Sequence, residues 1–172
     1  MPHLITRQEA ISNLEKEIAK GECIACRLVN SQGKYLLHKG ARITVLLSEY
    51  PRCWGQVMVI ANRHITSFGE LETEEWKEMS QYLHAETRTI EQVLKPLRCY
   101  VAATGAADNQ LMTTPHLHFN IIPVYHKTDK PATIFTWEHG LYAGTEAEWK
   151  ELSENLRKAW KDNLLFLRHG EE

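Results

Sequence analysis

The chain has 172 residues, with 20 Lys or Arg against 22 Asp or Glu and a formal charge of −2. That length suits a single domain, expected to span residues 1–172, with a sizeable core. The near balance of charge offers no polyanion-binding face, which argues against a nucleic-acid binder. No run of about eighteen apolar residues marks a membrane span, and residues 1–7 lack the apolar stretch of a signal peptide, so a soluble cytoplasmic protein is the expectation.

In chain order, residues 6–20 read as an amphipathic helix. Thr6 and Glu9 stand at capping-box spacing, Ile11, Leu14 and Ile18 form the stripe, and Gly21 supplies the stop. This helix is expected to lie apart from any site. Residues 21–27 (Gly-Glu-Cys-Ile-Ala-Cys-Arg) read as a short turn carrying two thiols. Strands are expected at 35–38, 43–47 and 56–61, the last following the break at 51–55. A helix then starts where Thr73 can cap it, buries Trp76, Met79, Leu83, Ile90 and Leu94, and ends at Pro96. A fourth strand occupies 98–103, a polar loop 104–112, and a fifth strand the segment ending at Pro123. Beyond it, 125–144 is loop-like, with a short strand at 133–137 and residues that close over a pocket. Thr145 and Glu148 open a terminal helix striped by Trp149, Leu152, Leu156 and Trp160. Leu164, Leu165 and Leu167 fit either a core cap or a dimer contact. Hairpin strands, a covering helix and two more strands make an α+β fold with a mainly antiparallel five-stranded sheet.

Between Pro115 and Pro123, His116, His118 and Asn120 alternate with Leu117, Phe119 and Ile121, the period of a half-buried strand. The three polar side chains share a face, roughly 6.6 Å apart in succession. Two imidazoles and a carboxamide thus converge on one volume. A solvent face that merely carries histidines is the alternative. Upstream, Cys23 and Cys26 stand two residues apart in a chain expected to sit in a reducing compartment, where such a pair more often binds metal than forms a disulfide. Two thiolates need two further ligands to close a tetrahedral zinc site, and His64 and His116, at the ends of central strands, are the candidates. Cys53 and Cys99 have no such spacing and read as small core residues.

Residues 55–65 (Gly-Gln-Val-Met-Val-Ile-Ala-Asn-Arg-His-Ile), then Leu-Glu-Thr-Glu-Glu at 71–75 and Pro-His-Leu-His-Phe-Asn-Ile-Ile-Pro at 115–123, resemble the histidine triad superfamily of nucleotide hydrolases and transferases. The likeness runs over about residues 23–123, leaving the N-terminal helix and a C-terminal extension (125–172) outside it. It implies a nucleotide hydrolase or nucleotidyltransferase acting on the α-phosphate of a nucleoside phosphate derivative. His118 would be the nucleophile, through a covalent nucleotidyl-histidine. It also implies a structural zinc on Cys23, Cys26, His64 and His116, a small-molecule nucleotide as substrate, and a homodimer.

The third triad position is Asn120, as in the galactose-1-phosphate uridylyltransferase branch, where a glutamine stands. A carboxamide donates to a phosphoryl oxygen but carries no proton near neutral pH, so phosphate or pyrophosphate leaving groups are favoured over amines. Ser48 stands where many members carry an acidic ribose contact, with Glu49 beside it. Thr113 matches a phosphate-binding hydroxyl, and Asn109 in the preceding loop is a further substrate-binding candidate. The rival reading is a zinc- and nucleotide-binding regulatory protein that has lost turnover. A metal hydrolase on a β/α barrel would need roughly 250 residues.

Overall fold

A computed structural model describes residues 2–17, 22–105, 115–137 and 139–169. Its centre is a five-stranded antiparallel sheet, in the order β2 (Leu36–Lys39), β3 (Ile43–Leu47), β4 (Val57–Ala61), β6 (His118–Val124), β5 (Arg98–Ala103). A short strand, β1 (His3–Ile5), pairs away from it with β7 (Leu141–Ala143), tying the N-terminal segment to the connection before the terminal helix. The sequence reading had no place for this pair, because three residues carry no periodicity.

Side chains alternate across the sheet, and its two faces do different work. Val45, Leu47, Val57, Val59 and Ile121 point into the main core. There they meet α3 (Thr73–Leu94) through Met79, Ala85 and Ile90, and α5 (Glu146–His169) through Trp149, Leu152, Leu156 and Trp160. The terminal stripe is therefore core, and Leu164 packs at its margin while Leu165 is exposed. The opposite face carries Leu46, Met58, Ile60, His118 and Asn120. One end of it is covered by α2 (Ile24–Asn30), whose Ala25 and Val29 pack on Leu46 and Ile60. The other end is covered by α4 (Pro131–Ile134) and Phe135 over Ile122 and Val124. The gap between α2 and α4 is the site. No helix among the described residues is long and apolar enough to cross a membrane.

Several expectations change in detail. The Cys23–Cys26 segment opens a helix rather than forming a turn, with Cys23 at the N-cap. Residues 131–134 are helical, in place of the short strand that the sequence suggests at 133–137, because Pro131 sits at the first helical position and favours that start. Glu72, not Thr73, is the N-cap of α3, since Glu75 three residues on accepts from its N–H at 2.9 Å. Trp76 is 41% exposed, resting edge-on against Phe68 instead of in the core. The two Thr/Glu capping boxes form as read, at Thr6 with Glu9 and at Thr145 with Glu148. Helix α1 (Arg7–Glu17) does not lie apart: its Leu14 lines the pocket containing His118.

Candidate active site

Register places the polar pair. In the β4/β6 ladder Ile60 faces His118 and Met58 faces Asn120, so both polar side chains stand on the face away from the α3/α5 layer. His116 lies before the strand begins and is fully buried. Its Nε2–H donates to the Ala61 carbonyl at 2.7 Å. That bond fixes the tautomer and leaves the Nδ1 lone pair facing two sulfurs, 3.5 Å from Cys23 Sγ and 3.4 Å from Cys26 Sγ. His64 brings its Nδ1 to 3.2 Å from Cys26 Sγ. The four donor atoms all lie within 4.8 Å of one another.

Zn–S bonds of about 2.3 Å and Zn–N bonds of about 2.05 Å at tetrahedral angles give S···N edges of roughly 3.5 Å. The three S···N edges of 3.5, 3.4 and 3.2 Å lie near this value, so Cys23, Cys26, His64 and His116 fit a structural zinc, four donors completing its tetrahedron. Burial, and then the second thiol alongside, push Cys26 up to about 11. Burial lowers His116, which favours the neutral form a metal requires. The loop bearing His64 is anchored by its neighbour. Arg63 donates to both carboxylate oxygens of Glu75, at 3.0 and 2.8 Å, and to the Glu70 carbonyl at 2.9 Å.

His116 acts on its neighbour too. Its backbone carbonyl accepts from His118 Nδ1–H at 2.8 Å, which leaves His118 Nε2 unprotonated. His118 is 8% exposed and lines a cavity of about 90 Å³. Burial chiefly, and also the charge of Arg52, hold it below the ordinary histidine value, so the ring is a neutral base at physiological pH. Asn120 is held from both ends. Its Oδ1 accepts from Gln56 Nε2 at 2.8 Å and its Nδ2 donates to Thr104 Oγ1 at 3.0 Å. Gln56 is itself fixed by the Arg52 N–H, which donates to its Oε1 at 2.9 Å. Gly55, at φ +89, allows the tight approach to the strand that sets Gln56 in place.

The remaining walls divide by chemistry. Leu14, Ile24, Leu28 and Ile60 make an apolar side, while Ser48, Glu49 and Tyr50 make a polar one. Glu49 accepts from the Tyr35 hydroxyl at 3.4 Å. Ile24 and Leu28 belong to α2, so the helix that starts in the thiol corner is also a wall of the pocket. Thr113 and Asn109 lie outside the described residues.

The structure thus brings His116, His118, Asn120, Ser48, Glu49 and the four metal-ligating candidates into one region. It adds Gln56, Thr104, Arg52 and Trp137, which the sequence reading did not single out. Gln56 had a visible signal as a polar residue opening an otherwise apolar strand. Arg52 and Trp137 had none, because their contact joins segments 85 positions apart in the chain.

No family model matches the sequence, and no curated protein matches it. The fold nevertheless matches solved histidine triad structures. A hypothetical histidine triad nucleotide-binding protein from Sulfolobus tokodaii strain7 is 20% identical over 81% of this chain and 93% of its own, with a TM-score of 0.64. A Zn-bound histidine triad family protein from Mycobacterium smegmatis is 19% identical over 82% and 94%, with a TM-score of 0.61. A uridylyltransferase is 20% identical over 91% of this chain but 50% of its own, with a TM-score of 0.63.

Proposed function

We infer that this chain, which has the fold of the histidine triad proteins, is a nucleotide hydrolase or nucleotidyltransferase acting at the α-phosphorus of a nucleoside phosphate derivative. The observation that carries this reading is the state of one ring. His118 donates its Nδ1–H to the His116 carbonyl in a 2.8 Å hydrogen bond and keeps a lone pair on Nε2 in the pocket. In the reaction, Nε2 attacks the α-phosphorus, an N–P bond forms and the P–O bond to the leaving group breaks. The His116 carbonyl stabilises the positive charge that grows on the ring. Water or a second phosphate then attacks the same phosphorus and releases His118.

Each surrounding group has a role under this reading. The Asn120 carboxamide, oriented by Gln56 and Thr104, supports a phosphoryl oxygen. Ser48 and Glu49 meet the ribose hydroxyls, and the apolar side takes the base. Zinc, when bound, supplies no chemistry and holds the thiol corner, the His64 loop and His116 together. The likeness in fold to a uridylyltransferase and to a histidine triad nucleotide-binding protein supports the substrate class.

The test is turnover of a panel of nucleotide sugars, dinucleoside polyphosphates and phosphoramidates, with and without inorganic phosphate, by wild type and His118→Ala. The reading expects products from the wild type and none from the variant, with zinc content equal in both. Nucleotide binding without turnover of any member would make the protein a binder instead.

A further inference from the structure

The reaction above leaves one strongly charged group unused. Arg52, in the β3–β4 connection, lines the His118 pocket, and its guanidinium carbon sits 4.6 Å from the centre of the Trp137 ring. Among the described residues it makes no ion pair, and its buried Nε has no hydrogen-bond partner. Burial lowers its pKa, as desolvation does to any cation without a counter-ion. Leaving such a charge uncompensated is costly, and the cost disappears when an anion enters. The carboxylates that line the two cavities, Glu49 and Asp129, make no ion pair with Arg52. Glu49 accepts from Tyr35, and Asp129 accepts from the His126 N–H at 3.1 Å.

Two further observations give the direction of the ligand. Arg7, at the start of α1, lies 5.2 Å from the same indole, so two guanidiniums gather around Trp137. Arg52 also lines a neighbouring cavity of about 270 Å³, bounded by Trp54, His126, Asp129, Thr136 and His139. That volume is far above the roughly 10–15 Å³ a single water needs. A ligand with its reacting phosphorus at His118 therefore meets a cation and, past it, room for a further group.

We propose that Arg52, stacked on Trp137 between the two cavities, binds the second phosphoryl group of a diphosphate-linked substrate and stabilises that group as it leaves. The inference rests on the His118 reading above and names the substrate class for it. As the Nε2–P bond forms, the bridging P–O bond breaks and its electron pair stays on the departing phosphate. A phosphate of this kind leaves as an anion and requires no proton from position 120. The guanidinium takes up the added charge through its planar fork, and the stack on Trp137 holds it in place. Arg52 thereby answers the lack of a proton donor at Asn120.

Binding of inorganic pyrophosphate and inorganic phosphate to wild type, Arg52→Gln and Arg52→Lys, measured by calorimetry, is the first arm. Pyrophosphate is expected to bind wild type and to weaken about 10- to 100-fold in Arg52→Gln, the loss of a charge-assisted hydrogen bond. Arg52→Lys should fall between, and melting curves establish that each variant is folded. The second arm compares a diphosphate-linked nucleotide with the p-nitrophenyl ester of the same nucleotide, whose leaving group carries no second phosphoryl. Arg52→Gln should slow the first much more than the second. Equal pyrophosphate affinity in Arg52→Gln, or equal slowing of both substrates, overturns the proposal. Arg52-dependent pyrophosphate binding in a protein that never modifies His118 would refute the nucleophile reading and leave the anion site standing.

Discussion

Removing zinc should release one helix before anything else. Helix α2 has seven residues, too few to be stable in isolation, and most of its backbone groups lie in terminal turns without internal partners. Its anchorage on the sheet is small. Ala25 and Val29 are buried and Leu28 half-buried, together about 3–5 kcal/mol of apolar transfer. Ordering seven backbones costs roughly 7–14 kcal/mol. The shortfall of about 2–11 kcal/mol is of the size a structural zinc covers, around 10–16 kcal/mol in small domains. Chelation should therefore unfold residues 23–30 and loosen 62–65, while α3 and the sheet, held by the main core, persist.

Hydrogen exchange read by mass spectrometry on the metal-loaded and chelated protein is the assay. Protection in peptides spanning 23–30 should vanish with chelation and that of 79–90 should survive. Nucleotide affinity should fall in parallel, because Ile24 and Leu28 leave the pocket wall. Unchanged protection at 23–30 after complete metal removal, or a purified protein without stoichiometric zinc, would refute the reasoning.

Three other outcomes follow from named contacts. Leu156→Ala removes a fully buried side chain between α5 and the sheet and should cost about 2–5 kcal/mol in denaturant unfolding, with zinc content unchanged. Because burial lowers the pKa of His118, the folded protein resists protonating it. Turnover should hold through the ordinary histidine range near 6.5 and fall only at lower pH, and the ring's contribution to stability, present above about 6.5, should decline as pH falls below that value; a rate that halves near 6.5 in a pH profile would contradict this. Phosphoramidates should be the poorest substrates, slower than diphosphate-linked ones by about 10²-fold or more in kcat/KM, since Asn120 supplies no proton to an amine.

The sheet and the histidines were legible because period-two alternation and ligand spacing are local properties of the chain. Alternation from His116 to Ile121 put His116, His118 and Asn120 on one face; the β4/β6 register agrees for His118 and Asn120, while His116 precedes the strand and turns its Nδ1 to the two thiols. The thiol spacing with His64 and His116 anticipated a cluster whose edges fit zinc. The helical form of the thiol segment was not legible, because seven residues show too little periodicity and the packing of Ala25 and Val29 on Leu46 and Ile60 decides it. Nor was the place of the terminal segments. The β1/β7 pairing, Leu14 at the pocket and Trp137 over Arg52 all join residues distant in the chain. Their pattern is set by tertiary contact rather than by local propensity. Gln56 illustrates the middle ground: its position at a strand start was readable, but its role in orienting Asn120 emerges only with the sheet assembled.

The account turns on whether phosphorus becomes bonded to a single ring nitrogen. Rapid quenching of the wild-type protein with a turned-over nucleotide substrate, followed by peptide mass spectrometry after incubation at acidic and at alkaline pH, tests this directly. The prediction is a nucleotidyl adduct on His118 that is lost in acid and survives base. An adduct on another residue, or product formed with His118 never modified, would contradict it.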